Sequence, residues 1–211
     1  FGGKGVFIKN LEKQLLAGHV DIAVHSLKDM PATLAPDFVL HTIPVRHSDH
    51  DIIVISAKAF AALPSELKNI FALKHKITKS QLEESVKSAA IKSIGTGSLR
   101  RKYLLHQLEV EDCHKKVFDL RGNIQTRLSF LLEPKDRLDG AQKQNFSTPL
   151  DAIVLAGASL ERMGLESQFY FARLDQDWFL PAACQGILAI ETLAKNQSRT
   201  RLTSGSSRSI N

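Results

Sequence analysis

Cysteine is scarce in this chain: two among 211 residues, Cys113 and Cys184. Two thiols make no disulfide framework, which points to a reducing, cytosol-like compartment. Aromatic residues are few, at 7%, with one Trp. A nucleic-acid surface built on stacked bases is therefore disfavoured. No apolar run approaches the roughly 18 residues of a spanning helix, so a membrane bundle is excluded. Neither a charged segment followed by an apolar one nor an initiator Met opens the chain, and no secretory signal is visible. What is present suffices for a packed core: 43% hydrophobic residues, with 24% charged. The balance is basic, 28 Lys and Arg against 22 Asp and Glu, a net +6. That balance favours an acidic partner, and the placement of the arginines has to say which.

The apolar pattern predicts a helix over 6–16, stopped by Gly18, and a strand over 20–24 that runs into a polar loop, His25 to Pro31. Strands are expected at 39–45 and 52–55, with the polar joint 46–51 between them as a candidate hinge. Residues 61–90 read as interrupted helix. A unit of strand, small-residue turn and helix then recurs three times. The first has a strand at 91–95, a turn at 96–98 and a helix at 98–108 with Leu99, Leu104, Leu105 and Leu108 inward. The second has a strand at 117–120, a turn at 121–123 and a helix at 124–132. The third has a strand at 152–155, a turn at 156–159 and a helix at 160–164. Residues 133–149 form a polar insertion, and a last strand falls at 187–190. This order predicts an α/β fold with a largely parallel sheet.

In such sheets ligands bind beyond the carboxyl ends of the strands. The sequence puts Thr96, Ser98, Arg100 and Arg101 at the first turn, Arg121 and Arg127 at the second, and Arg162 near the start of the third helix. Lys28 and Asp29 follow the strand at 20–24. Guanidinium forks suit carboxylates and phosphates, so five arginines with hydroxyls imply a ligand with several anionic groups. Taken singly, each has a plainer reading: a solvated arginine, a surface pair of Lys28 with Asp29, an N-cap at Ser98, turn glycines at Gly122 and Gly157. The repeated placement is the stronger signal, because a cation in a first helical turn opposes the helix dipole unless an anion is bound. His47, Asp49, His50 and Asp51 form a loose cluster without zinc spacing, and no metal is expected. Cys184 beside Gln185 reads as a small buried residue, since no His partner is evident.

Five stretches carry a family resemblance: Gly2 to Phe7, Ala23 to Pro31, Gly95 to Arg101, Leu120 to Leu128 and Leu180 to Gly186. In order and in register they resemble porphobilinogen deaminase, also called hydroxymethylbilane synthase. The resemblance implies joining of four porphobilinogen units head to tail with loss of ammonia, on a covalently held dipyrromethane cofactor. It also implies a two-lobed type II periplasmic-binding-protein-like architecture with mixed, mostly parallel sheets and a cleft between the lobes. The first lobe is expected at 1–47 with 183–194, lacking its first strand and helix, and the second at 52–180. Residues 195–211 would be a disordered tail where the family has a third domain. Asp29 matches the family's catalytic aspartate, which stabilises the positive pyrrole species formed as ammonia leaves. Ser26, Lys28, Thr96, Ser98, Arg100, Arg101, Arg121, Gly122, Arg127 and Arg162 would hold the cofactor carboxylates, and Lys4, Phe7 and Gln185 the substrate.

Two departures stand out, Gly97 and Gln125, where the family often has Ser and Gly. The cofactor-bearing Cys of the third domain has no counterpart, Cys184 being in an earlier motif, so this chain alone is expected to be inactive. A cytoplasmic monomer with no nucleic-acid or membrane partner is implied. A non-catalytic binder of a polycarboxylate on the same plan is the alternative; it would gain nothing from Asp29 facing its ligand.

Overall fold

The computed structural model describes residues 4–133 and 146–194, with side chains from Ile8 onward. The side chains of Lys4 and Phe7, most of the insertion and the segment 195–211 lie outside the described residues. The chain divides into two units, at 47/48 and again at 182/183.

Unit 1 comprises residues 1–47 and 183–211. Its helix α1 (Lys4–Leu16) buries Ile8 and Leu15, with Leu11 partly covered. The spacing i, i+3, i+7 puts these on one stripe. Gly18 ends the helix at φ +68, its N–H donating to the Leu15 carbonyl while His19 N–H donates to Gln14. The stripe packs on Ala23, Phe38 and Leu193 of a three-stranded sheet. The order is β1 (Ala23–Ser26), β9 (Leu188–Leu193), β2 (Phe38–Thr42), both pairings antiparallel, with Ala23 and Leu40 opposite Glu191.

The sequence pattern places β1 three residues too early. His25 and Ser26 read as loop because they are polar, but they pair with Ala189 and Leu188 in the sheet. His25 is tolerated in the interior because its Nε2 meets Glu191 Oε2 at 3.1 Å. Both side chains are buried, and the partner is 166 residues away. Burial pushes the Glu191 carboxyl above its ordinary 4.5, with His25 pulling it back and Glu12 pushing it further. A raised carboxyl contributes stability that is present below about pH 4.5 and lost as pH rises through the shifted value. Glu191→Gln is expected to match the parent in Tm at low pH and to gain on it as pH rises. Paired thermal melts from about pH 4 to about pH 8 check this; a gap that is flat with pH would contradict it.

Unit 2, residues 48–182, holds a six-stranded sheet. Its order is β4 (Lys76–Ile77), β8 (Tyr170–Leu174), β3 (Asp51–Ile55), β7 (Ala152–Ala156), β5 (Ile94–Thr96), β6 (Val117–Asp119). Strands β3 and β7 are buried along their whole length, as apolar runs covered on both faces should be. Alternation sends Ile53 and Ile55 into a core with Phe71, Leu82 and Phe179, and Ile52 and Val54 into a second core with Leu120, Phe130 and Leu155. Helices α2 (Ala57–Ala62), α3 (Ser65–Ala72) and α4 (Lys79–Lys87) resolve the interrupted helical stretch. Thr78 and Gln81 close a capping box at the start of α4.

The sheets are mixed. The three repeated units supply the parallel set β6, β5 and β7. Strand β4 adds a parallel pair with β8, whereas β3 is antiparallel to both β7 and β8. The parallel expectation thus holds for three of five neighbours here and for neither pair in unit 1. Helix α5 (Leu99–Leu105) corrects a second point: Leu99 is 75% exposed, and Arg101 takes the inward place with Leu105 and Leu108. Arg101 and Leu105 stand i, i+4 on one stripe that excludes position 99, and Leu108 packs inward from beyond the helix end.

Cys184 is exposed and not buried as expected, and its φ is +60. A side chain in the left-handed region costs about 1–2 kcal/mol, partly offset by the freedom glycine adds to the unfolded chain. Cys184→Gly should therefore stabilise by roughly 0.5–1 kcal/mol in thermal unfolding, and Cys184→Ala should not.

Candidate functional site

Strands β5, β6 and β7 all end at the edge of the unit 2 sheet where β3 begins, since Asp51 stands opposite Ala156 and β5 runs parallel to β7 and β6. The turns after these strands carry most of the expected binding residues. Thr96 is buried at the end of β5, and its hydroxyl accepts from Ser98 N–H at 3.3 Å. Ser98 occupies the cap position of α5 but makes no side-chain capping bond, so its hydroxyl is not spent on the helix.

Gly97 is required by crowding. A Cβ there would lie 2.5 Å from the Leu120 carbonyl oxygen and 3.3 Å from the Arg127 guanidinium carbon. The turn after β5 is thus closed against the turn after β6. In the latter, Gly122 has φ +101 and Asn123 caps α6 (Ile124–Leu128) by accepting from Thr126 N–H. Arg127 reaches back from α6 and donates Nε–H to the Gly122 carbonyl at 2.8 Å. Its charge therefore sits beside both turns. Arg121 stands exposed on the second turn.

Arg100 and Arg101 converge on one carboxylate. Asp51 is 1% exposed. Its Oδ2 accepts from Arg100 Nη2 at 2.6 Å, and its Oδ1 accepts from Arg101 Nε at 3.0 Å and lies 2.8 Å from Nη2. Arg101 also donates to the Val154 carbonyl at 3.4 Å, and Arg100 to the Leu180 carbonyl. Arg100 lies near the Phe179 ring as well. The sequence reading missed this role of Asp51 and grouped it with His47, Asp49 and His50. Asp49 instead accepts from Gln176, with His50 Nε2 3.9 Å away. Among the described residues no group of three or more His, Cys, Asp or Glu could hold a metal ion.

Arg162 is not near the start of its helix. Helix α7 (Gly157–Arg162) begins directly after β7, so Arg162 is its last residue, with Nε–H donated to the Ala158 carbonyl at 3.1 Å. A cation there agrees with the helix dipole, so the dipole argument for a bound anion does not apply to Arg162.

In unit 1, Lys28 and Asp29 lie on a 3-10 turn, Leu27–Asp29, that directly follows β1 and Ser26. Lys28 Nζ donates to Gln185 Oε1 at 3.1 Å. Gln185 is fully buried, and its carbonyl accepts from Arg46 Nε at 3.0 Å. Arg46 was not anticipated; nothing in the local sequence marks it, because its partner lies 139 residues away. Of the two thiols, Cys113 is the packed one. Burial pushes its pKa up against the pull of Lys116, and its Sγ donates to the Leu105 carbonyl at 3.2 Å.

Comparison with known proteins adds the family. A family model described as "Porphobilinogen deaminase, dipyromethane cofactor binding domain" matches residues 1–201. A porphobilinogen deaminase from Geobacillus sp. (strain WCH70) is 36% identical over 191 residues, 90% of this chain and 48% of that protein. One from Paraburkholderia phytofirmans is 39% identical over 194 residues, 92% of this chain and 44% of that protein. One from Roseiflexus castenholzii is 34% identical over 202 residues, 95% and 52% respectively. The chain spans about half the length of the curated relatives it matches. Among solved structures, the regulatory domain of MetR, a LysR family regulator from N. meningitidis, aligns over 92% of this chain and 70% of that one. Its TM-score is 0.40 at 10% identity, a likeness too slight to argue from. Matched almost from end to end by that model, this chain belongs to the porphobilinogen deaminase family, in the region described as its dipyrromethane cofactor-binding domain.

Proposed function

We propose that this chain provides the pyrrole-binding part of a porphobilinogen deaminase, which condenses four porphobilinogen units head to tail into hydroxymethylbilane with release of ammonia. The observation that carries the reading is the cationic edge of unit 2, where Arg100, Arg101 and Arg127 gather at the ends of three strands. Each pyrrole in this chemistry bears an acetate and a propionate, so a dipyrromethane brings four carboxylates. The donor set fits such a group. Thr96, Ser98, Arg100, Arg101, Arg121, the Gly122 backbone and Arg127 would hold it, with Arg162 through its terminal nitrogens; Ser26 and Lys28 are proposed as further carboxylate contacts. When bound, the dipyrromethane supplies the pyrrole carbon to which the first unit is joined.

The residues of this chain then bind and neutralise. Arginine forks take the carboxylates, and Lys28, fixed by Gln185, adds one cation beside Asp29. Lys4 and Phe7, with Gln185, would contact the incoming porphobilinogen. In the reaction its aminomethyl C–N bond breaks and nitrogen departs as ammonia. A C–C bond forms to the free α-carbon of the preceding pyrrole, and that carbon loses its proton. Asp29 accepts hydrogen bonds from pyrrole N–H groups and offsets the positive charge that grows as the C–N bond opens. A monomer acting in the cytoplasm, with porphobilinogen and no nucleic acid or membrane as its partner, is part of this reading.

A chimera tests it: this chain joined to the lengths of the Geobacillus relative that the match leaves uncovered. It is expected to consume porphobilinogen and release ammonia. Arg121→Ala in that chimera should weaken porphobilinogen binding by roughly ten- to a hundredfold, one lost charge-assisted contact being worth about 1.5–3 kcal/mol. A correctly folded chimera that binds no porphobilinogen would refute the assignment.

A further inference from the structure

The carboxylate of Asp51 is the least expected member of the cationic edge. It is buried, it opens β3, and it faces two consecutive arginines from α5. A ligand site for anions gains nothing in net attraction from an extra negative charge, so the acid must serve by other means. We propose that Asp51 is the positioning residue of the anion site: it fixes the directions in which Arg100 and Arg101 present their remaining N–H groups. The inference rests on the reading that this edge binds pyrrole carboxylates.

The hydrogen bonds support it. A guanidinium has five N–H donors. Arg101 spends Nε–H and one Nη2–H on Asp51 and one Nη1–H on Val154, which fixes its plane at two sides. Arg100 spends one Nη2–H on Asp51 and one Nη1–H on Leu180. Among the described residues two donors on Arg101 and three on Arg100 are left, in set directions. Two guanidiniums on neighbouring residues repel each other. A single carboxylate with one oxygen for each lets them stand side by side, and it lowers the charge of the trio from +2 to +1. The burial of Arg101, 6% exposed, requires such a counter-charge. Asp51 is also fixed from behind, since β3 pairs with β7 on one side and β8 on the other.

The sign of the mutational effect separates positioning from plain electrostatics. Asp51→Asn deletes a negative charge next to an anion site, which by Coulomb attraction alone strengthens binding. If the carboxylate orients the forks, binding weakens. Porphobilinogen, which carries the same acetate and propionate and stands in for the dipyrromethane at the arginines, is titrated by calorimetry into the parent chain, Asp51→Asn, Asp51→Glu and Arg121→Ala, with far-UV circular dichroism confirming the fold. The Arg101 Nε–H resonance is followed by NMR. We expect Asp51→Asn to bind about tenfold more weakly and its Arg101 Nε–H signal to merge with the exposed arginines. Asp51→Glu keeps the charge but moves it by about 1.5 Å, and should bind more weakly by a smaller factor. If Asp51→Asn does not fold, the decision falls to Asp51→Glu. Parent-like or tighter binding in the folded variant, alongside weakened binding in Arg121→Ala, overturns the positioning role and leaves the anion site standing. No porphobilinogen binding by the parent chain, or none lost in Arg121→Ala, overturns the anion site and the inference with it.

Discussion

Asp29→Ala is expected to slow single-turnover condensation by roughly 10²–10³-fold in the chimera, the range found when one preorganised group facing a developing charge is removed. Porphobilinogen affinity should change by no more than about threefold, because the extra positive charge that Asp29 offsets develops only as the C–N bond opens. The reason lies in how Asp29 is placed. It sits on a one-turn 3-10 helix at the end of β1, next to a lysine held by a fully buried glutamine. On the proposed reading its charge stands in place before the C–N bond opens and so costs little reorganisation during the step. Asp29→Asn keeps the shape and one acceptor oxygen, and should recover only a small part of the lost rate. The contrast with Arg121→Ala is the informative part. The arginine stands exposed on its turn and should act on binding, whereas the aspartate should act on the rate. Equal single-turnover rates for Asp29→Ala and its parent would remove the catalytic assignment while leaving the binding edge intact.

How much of this was legible in the sequence depends on how local each signal is. The turns that carry Thr96, Ser98 and Arg121 stood out because strand, small-residue turn and helix succeed one another within fewer than about twenty residues. Arg162 was misread through the same logic. Ala156 to Ser159 are small enough to look like a turn, yet Gly157 and Ala158 are the buried first turn of α7. Gly157 must be small because a Cβ would lie 3.0 Å from Ser48 Oγ and 3.2 Å from the His50 carbonyl. His25 passed for a loop residue because its partner, Glu191, belongs to a strand at the far end of the chain. Asp51 looked like one more polar residue in a joint, although it begins a fully buried strand. Its meaning comes from Arg100 and Arg101, 49 and 50 residues further on. In each case short-range patterning showed where backbone elements lie, and the missing information was a side-chain partner distant in sequence.

The same partnership predicts the largest stability effect in unit 2. Asp51→Ala removes the counter-ion of a guanidinium that is 93% buried and cannot turn to water, a loss expected to cost about 3–5 kcal/mol. Arg100 suffers less, since its side chain is 28% exposed and can hydrate in place. Arg101→Met should be nearly as costly, because it leaves Asp51 fully buried with only the more exposed arginine to pair with. Pairing the two changes is the test of cause: Asp51→Leu with Arg101→Met replaces the ions with apolar groups of similar volume. It should recover most of the stability lost in either single variant. Urea unfolding reports this directly, because the chain's one tryptophan, Trp178, is in unit 2 and packs on the Phe179 core. The double variant should bind porphobilinogen as poorly as Asp51→Asn despite its restored fold. Were the double variant no more stable than the worse of its two parents, the loss in Asp51→Ala would have to come from something other than an uncompensated charge.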